Sequence, residues 1–66
     1  MDNFARNLKA LRLEKGLGQA TLAKEIGVSC GIISLWENEK REPTKHYLVL
    51  LAKFFDVSLD ELVDFE

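Results

Sequence analysis

Apolar residues recur along this chain at intervals of three and four, the spacing of helices that bury one face. Phe4, Leu8 and Leu11 share one face of the first such segment. Ala5 and Arg12 lie beside them. No stretch alternates apolar and polar residues in the manner of a strand. The pattern therefore predicts an all-α chain.

Turn and capping residues divide the chain into five helices. Gly16 and Gly27 are expected to end the first two, because glycine adopts a left-handed conformation freely. Ser29 and Thr44, which follows Pro43, are candidate N-caps of helices three and four. Residues 58–61, SLDE, form a capping box before helix five. The predicted helices cover residues 2–15, 19–26 and 30–38, then run from the 44 cap to 55 and from the 58 cap to 63.

The second and third helices each offer a short inward face. Their predicted inward residues are Leu22, Ala23, Ile26, Ile33 and Trp36. Because Ile33 and Trp36 pair at helical spacing, Ile32 is expected to face elsewhere.

Helix four carries more apolar surface than one small core needs. Its predicted inward stripe is Leu48, Leu51, Ala52 and Phe55. A second stripe comprises Tyr47, Leu50 and Phe54. Monomers rarely leave such a stripe exposed, so we expect it to form a two-fold contact with another copy, helped by helix five or Phe65. The alternative is that Phe4 and helix five cover it within one chain.

Length and composition narrow the class of protein. A chain of 66 residues suits a single domain, residues 1–66, with one small core. The single cysteine, Cys30, excludes an intramolecular disulfide and a cysteine-based zinc site, and fits a reducing compartment. Charges near the N-terminus and the short apolar run of residues 47–52 predict no signal peptide, no membrane partner and a cytoplasmic protein.

The net charge of −2 hides an uneven distribution. Residues 1–53 hold all nine basic residues against six acids, whereas residues 54–66 hold five acids and no base. Such a chain remains compatible with nucleic acid, because DNA affinity follows the local basic surface more than the total charge. The acids are equally compatible with an ordinary solvated helix face.

Residues 19–36, QATLAKEIGVSCGIISLW, have the spacing of two helices joined by a turn of about three residues with a glycine in it. Ala23 is small where helix three must cross close to helix two, and Gly27 can take the positive φ of a sharp turn. Apolar residues that would hold the crossing are Leu22, Ile26, Val28, Ile33 and Trp36. The pattern predicts a helix-turn-helix, or alternatively a helical hairpin without a DNA role.

With this motif the chain resembles the phage repressor and Cro-like regulators, also called the XRE family. The resemblance covers nearly the whole chain, and its matching residues are Arg12, Gln19, Ala20, Leu22, Ala23, Gly27, Val28, Ser29, Ile33, Ser34, Trp36, Glu37, Asn38, residues 40–43, Leu51, Ala52 and residues 57–62. It implies a compact five-helix domain of the lambda-repressor-like type with a central helix-turn-helix. It also implies a regulator that binds double-stranded DNA with helix three in the major groove. The homodimer expected from the second stripe of helix four would suit a palindromic site whose half-sites lie about one DNA turn apart.

The resemblance places base contacts on the exposed positions of helix three. These positions are Cys30, Gly31, Ile32, Ser34 and Leu35. Family members often carry Gln, Arg, Ser or Thr there, and this set lacks the bidentate hydrogen-bonding groups that read guanine or adenine. Ile32 and Leu35 can contact thymine methyl groups, or alternatively a protein partner. We expect weak direct readout, supplemented by DNA shape and phosphate positioning.

The resemblance also implies phosphate contacts and a structural ion pair. The predicted phosphate contacts are Gln19, Asn38, Lys40 and Arg41. The last three follow helix three in a loop, for which an ordinary solvated loop is the alternative. Gly18 stands where the family commonly has a Ser or Thr N-cap. Arg12 and Glu37 match a family ion pair that links helix one to the end of helix three.

Catalytic chemistry finds little support in the sequence. We identify no nucleophile–base pair, phosphate loop or metal cluster, and therefore expect no enzyme, cofactor, metal or small-molecule ligand. His46 is expected on a helix surface and Cys30 near DNA, with a redox-switch thiol as the alternative for Cys30. The competing function is a protein-interaction module, such as an antitoxin whose main partner is another protein.

Overall fold

The computed structural model describes residues 3–63, where five helices follow one another through short connections. They are α1 (Phe4–Glu14), α2 (Gln19–Ile26), α3 (Cys30–Glu37), α4 (Lys45–Phe55) and α5 (Leu59–Val63). No strand occurs within this part of the chain, and the predicted all-α class is confirmed. The predicted helix start at Asp2 and the predicted dimer contribution of Phe65 fall outside the described residues.

Each helix contributes one large side chain that is completely buried. These residues are Leu8, Leu22, Ile33, Leu51 and Leu62. Around them lie further buried residues from α1 to α4, namely Phe4, Ala23, Ile26, Trp36, Ala52 and Phe55. One core therefore joins all five helices, which suits a chain too short to hold two.

Two residues predicted to face inward are only half-buried. Leu11 on α1 and Leu48 on α4 pack against the core without being enclosed by it. The buried side of α1 is instead completed by Ala5 and Arg12. Leu11 and Leu48 were predicted to face inward from helical periodicity alone. Periodicity identifies which face of a helix is buried, but it does not show how far the burial extends to either side.

The second stripe on α4 is half-buried and packs against the core. The ring of Tyr47 lies 5.6 Å from that of Trp36, and Lys15 Nζ lies 5.6 Å from the Phe54 ring centroid. The sequence-based alternative named Phe4 and helix five as the cover. Trp36 of α3 and Lys15 at the C-cap of α1 make these two contacts, and α4 also packs against α5.

Three helix starts were predicted to be capped, and two of them carry side-chain caps. The Ser29 hydroxyl accepts the Ile32 N–H over 3.3 Å. In the capping box the Ser58 N–H donates to Glu61 Oε1 over 2.9 Å, and the Glu61 N–H donates to the Ser58 hydroxyl over 3.0 Å. The backbone N–H of Ser58 lowers the pKa of the Glu61 carboxyl by stabilising its charged form. Thr44 occupies the N-cap of α4 but accepts no capping hydrogen bond.

Left-handed residues follow the ends of four helices. Gly16 and Gly27 have φ of 69° and 89°, as their positions predicted. Glu39 and Asp56 have φ of 60° and 57°, although neither is glycine. Helices three and four were predicted to end at about residues 38 and 55, but a left-handed residue was not predicted after either, because a residue with a Cβ disfavours this conformation. The predicted last residues of helices one and three are C-caps, so α1 and α3 each end one residue earlier.

The turn at Glu39 has the hydrogen bonds of a Schellman motif. The Lys40 N–H donates to the Leu35 carbonyl over 2.9 Å, and the Glu39 N–H donates to the Trp36 carbonyl over 3.3 Å. These bonds satisfy the last carbonyl groups of α3. They also set the direction in which the chain leaves the helix.

A contact that sequence reasoning did not anticipate joins the two ends of the fold. Asn7 Nδ2 on α1 donates to the backbone carbonyls of Glu61 and Leu62 over 3.2 and 3.1 Å. The amide thereby serves carbonyls of α5, a helix of five residues that has few internal hydrogen bonds to rely on. α5 is therefore anchored by α1 as well as by its buried residues.

Replacing Glu39 with glycine should stabilise the domain. Glycine enters the left-handed region without a Cβ clash, so we expect Glu39→Gly to raise the free energy of unfolding by about 1 kcal/mol. Urea unfolding followed by circular dichroism measures the change. Glu39→Ala is the control, because it removes the charge but keeps the Cβ, and it should change stability by less than about 0.5 kcal/mol. An equal gain in both variants would assign the effect to charge and contradict the backbone explanation.

Candidate nucleic-acid interface

The turn between α2 and α3 brings the two helices into close contact. Ala23 is 2% exposed, and its carbonyl accepts the N–H groups of Gly27 and Val28 over 2.8 and 2.9 Å. A larger side chain at Ala23 would push α3 away, and the positive φ of Gly27 reverses the chain within three residues. This geometry holds α3 at the surface with one side in the core.

The outward side of α3 presents small and apolar groups. Cys30, Gly31 and Leu35 are exposed, and Ser34 is half-buried. Asn38, just beyond the helix, donates its Nδ2 to the Ser34 carbonyl over 2.9 Å and to the Ser34 hydroxyl oxygen over 3.2 Å. Two of the predicted DNA-contacting side chains are therefore held against each other before any ligand binds.

Ile32 differs from its predicted orientation. It is half-buried and packs against the core, whereas the sequence pattern predicted that it faces away from the core. Its side chain lines a hollow of about 380 Å³ beneath the connection from α3 to α4. The hollow is also lined by Val28, Trp36, Arg41, Glu42, Pro43, Thr44 and Tyr47. Residues of the loop that follows α3 cover one side of Ile32. Helical periodicity within α3 does not reveal this contact.

A buried ion pair fixes the end of α3 to α1. Arg12 Nε donates to Glu37 Oε2 over 2.7 Å and Nη2 donates to Oε1 over 3.1 Å, with the two side chains 9% and 4% exposed. Arg12 Nη1 donates to the Leu17 carbonyl over 2.8 Å. The hydrogen bond to Glu37 raises the pKa of Arg12 despite the opposing effect of burial, so the guanidinium stays charged.

Gln19 belongs to the same network. Its Nε2 donates to Glu37 Oε1 over 3.1 Å, and the residue itself is half-buried. Its side-chain amide is thus already engaged at the start of α2, where Gly18 supplies no side-chain cap. The groups available to contact a phosphate at the start of α2 are therefore its backbone N–H groups and the side-chain amide of Gln19, which is constrained by Glu37.

Two basic side chains follow α3 directly along the chain. Lys40 and Arg41 are exposed directly after α3. Cys30 is an exposed free thiol, and His46 is exposed with its ring 5.1 Å from that of Tyr47.

Within residues 3–63 no group of three or more potential metal ligands comes together. None of the helices described here has the length and apolar character needed to cross a bilayer.

Comparison with known proteins identifies the family. A family model described as helix-turn-helix matches residues 8–62. The chain belongs to this helix-turn-helix family, in its phage-repressor form. The predicted five-helix repressor-like fold and the predicted family are both confirmed.

Two curated relatives align with most of this chain. The HTH-type transcriptional activator BcrR of Enterococcus faecalis is 41% identical over 63 residues, which cover 96% of this chain and 31% of that protein. The uncharacterized HTH-type transcriptional regulator YqaE of Bacillus subtilis is 35% identical over 60 residues, which cover 91% of this chain and 52% of that protein. The chain thus spans from about a third to about half of the length of these relatives.

One solved structure links the fold to DNA recognition in a relative. The P22 c2 repressor, crystallised in complex with a synthetic operator, superposes with a TM-score of 0.85 at 35% sequence identity. The alignment covers 91% of each chain. The helix-turn-helix described here therefore has the shape of a domain that binds an operator.

Removing the Arg12 guanidinium should unfold the domain far more easily. Arg12→Met leaves the Glu37 carboxylate buried without its charged partner, at a cost of about 3 kcal/mol in the free energy of unfolding. Urea unfolding followed by tryptophan fluorescence measures the loss, since Trp36 is buried in the same helix. Lys9→Met is the matched control on the exposed side of α1 and should cost less than about 0.5 kcal/mol. Similar losses in both variants would show that the ion pair contributes little.

Proposed function

We propose that this chain is a sequence-specific transcriptional regulator that binds double-stranded DNA, with α3 lying in the major groove. The observation that carries the proposal is the outward side of α3, held rigidly beside α2 in a fold shared with an operator-bound repressor. A helix is the element that the major groove admits, and the second helix of this motif is the one that enters it. The proposal assigns the chain no catalytic step and a cytoplasmic place of action.

The proposed base contacts are the outward residues of α3, Cys30, Gly31, Ile32, Ser34 and Leu35, and the proposed phosphate contacts lie beside the C-terminal end of that helix. Lys40 and Arg41 extend past the C-terminal end of α3, and Gln19 opens α2. Backbone N–H groups at a helix start favour anions, so the start of α2 suits a phosphate even though the Gln19 amide is engaged by Glu37. Asn38 completes the proposed set through the part of its amide that Ser34 leaves available.

We further propose that the chain binds a palindrome as a two-fold dimer. The stripe of Tyr47, Leu50 and Phe54 is half-buried, which leaves apolar surface for a second copy. The longest Cα extent of the domain is 29 Å. Two copies bound about 34 Å apart, one turn of DNA, would therefore lie near enough to touch.

Selection from a random double-stranded DNA library, at two salt concentrations, tests the proposed function. We expect a palindromic consensus with half-sites about one helical turn apart, and affinity that falls steeply as salt rises. Salt-sensitive binding without a consensus would contradict sequence specificity. No binding at low salt would overturn the proposal altogether.

A protein-interaction role is the second candidate, and exposed leucines favour it. Leu13 is 57% exposed and Leu35 is 37% exposed, in a domain whose C-terminal end is acidic. Exposed aliphatic groups on a recognition surface suit a protein partner such as a toxin. The two roles can coexist in one chain, and failure of the library selection at low salt would leave the protein-interaction role as the better candidate.

Removing a basic side chain from the loop after α3 should weaken binding by the same factor for all DNA sequences. Lys40→Ala and Arg41→Ala each remove one proposed phosphate contact, so each should reduce the slope of log affinity against log salt by about 1. Fluorescence anisotropy with labelled duplex, titrated at several salt concentrations, measures the slope. Lys53→Ala on α4 removes an exposed charge near α5 and should leave the slope unchanged. A change in sequence preference without a change in slope would assign these residues to base contacts.

The dimer can be tested by sedimentation of the chain alone. At micromolar concentration we expect a mass of twice the 7.5 kDa of one chain. Leu50→Gln should shift the equilibrium toward the monomer because it places an amide in the apolar contact. Leu13→Gln, a change at an exposed leucine of α1 outside the proposed contact, is the control for the added amide. A single-chain mass for the unchanged protein would contradict the proposed contact.

A further inference from the structure

The hollow beneath the connection from α3 to α4 has the size and lining of a small-molecule site. Its volume is about 380 Å³, within the range of about 300–1,000 Å³ that is typical of ligand pockets. Trp36 lines it from the core side, since this residue is only 2% exposed, and Val28, Ile32 and Tyr47 are half-buried in its walls. The sequence alone predicted no small-molecule ligand, because the hollow exists only where the loop packs against both helices.

Two aromatic side chains make the hollow suited to a flat ring. The Trp36 and Tyr47 rings lie 5.6 Å apart and are inclined at 50°, so they do not stack on each other face to face. Aromatic rings attract one another in tilted and offset arrangements at such separations, and a ligand ring can join this pair. Pro43 is buried in the wall and has a fixed φ, which limits how far the loop can close over the space. The hollow is therefore formed before a ligand arrives, which lowers the entropic cost of binding.

The polar residues of the hollow select the charge of a ligand. Arg41, Glu42 and Thr44 line it and are exposed to solvent. A guanidinium pairs with a carboxylate through two parallel hydrogen bonds. The Thr44 hydroxyl accepts no capping hydrogen bond from α4 and can donate to the same carboxylate. Glu42 is itself an anion and disfavours a second negative charge on the ligand.

We infer that this hollow binds a small aromatic monocarboxylate, with its ring against Trp36 and Tyr47 and its carboxylate paired with Arg41, and that the bound ligand weakens DNA binding. The carboxylate and a DNA phosphate compete for the same guanidinium, because Arg41 is one of the proposed phosphate contacts. The effect on DNA rests on the proposed function, whereas the binding of the carboxylate does not.

Titration with 2-naphthoate, followed by NMR of the ¹⁵N-labelled chain, tests the site in the absence of DNA. Trp36 is the only tryptophan, so its indole N–H signal reports on the hollow. We expect saturable shifts of this signal and of the loop amides, with a Kd of about 1 mM, as the usual binding energy per atom gives for a molecule of this size. The neutral 2-naphthamide should bind about fivefold more weakly, the upper end of the effect of an exposed ion pair. Acetate should cause no saturable shift.

Protein variants connect the carboxylate to Arg41. Arg41→Gln should weaken the binding of 2-naphthoate about fivefold and leave the affinity for 2-naphthamide unchanged. Lys45→Gln is the matched control, because Lys45 is an exposed basic residue close along the chain that does not line the hollow. It should leave the affinities for both compounds unchanged. Both substitutions are at exposed positions, where the free energy of unfolding changes little.

Fluorescence anisotropy with a selected duplex tests the effect on DNA binding. With 2-naphthoate at a concentration that fills the hollow, affinity for the duplex should fall about threefold relative to the same concentration of acetate, which supplies equal ionic strength. The duplex should weaken the binding of 2-naphthoate by the same factor, since such coupling is reciprocal. Equal affinity for the duplex in the two salts would overturn this part of the inference.

The site itself is overturned by an indole signal that does not shift, by equal affinities for 2-naphthoate and 2-naphthamide, or by an unchanged affinity in Arg41→Gln. Loop signals that shift with protein concentration and not with the probe would assign the hollow to a second copy of the chain, which also overturns it. Failure to select any duplex would overturn the proposed function, while the NMR titration decides the carboxylate site independently.

Discussion

Glu37 holds three segments of this small domain together through one carboxylate. Arg12 reaches it from α1 and Gln19 from the start of α2, while Glu37 itself ends α3. A buried carboxylate is tolerated only when its oxygens have partners, so the helices must meet at this point or lose stability. The same contact sets the distance between the start of α2 and the end of α3, the two places proposed to contact phosphate. Stability and the proposed function thus share one constraint.

A single small core shared by five short helices leaves a small margin of stability, so the hydrogen bonds at the helix ends make a large relative contribution. The capping box before α5 and the amide of Asn7 together stabilise both ends of its five residues. The turns at Glu39 and Asp56 act in the opposite sense, because each holds a side chain in a conformation suited to glycine. The direction of the chain after α3 nevertheless depends on the turn at Glu39, which places Lys40 and Arg41 beside that helix.

The fold is shared by a transcriptional activator and by a repressor, so it does not by itself decide what the chain regulates or how. That information lies in the exposed residues. On α3 these are small and apolar, which favours recognition by shape over recognition by hydrogen bonds.

The sequence alone determined the number of helices, their order and most of their ends, because periodicity, the turn at Gly27 and the cap at Ser58 act over a few residues. Family resemblance extended this to the ion pair between α1 and α3. Tertiary structure alone decided the partial burial of Ile32 and the engagement of the Gln19 amide. It also decided the contact from Asn7 to α5, across more than 50 residues of sequence. Contacts of this kind depend on where packed helices bring distant side chains, and no local pattern encodes that position.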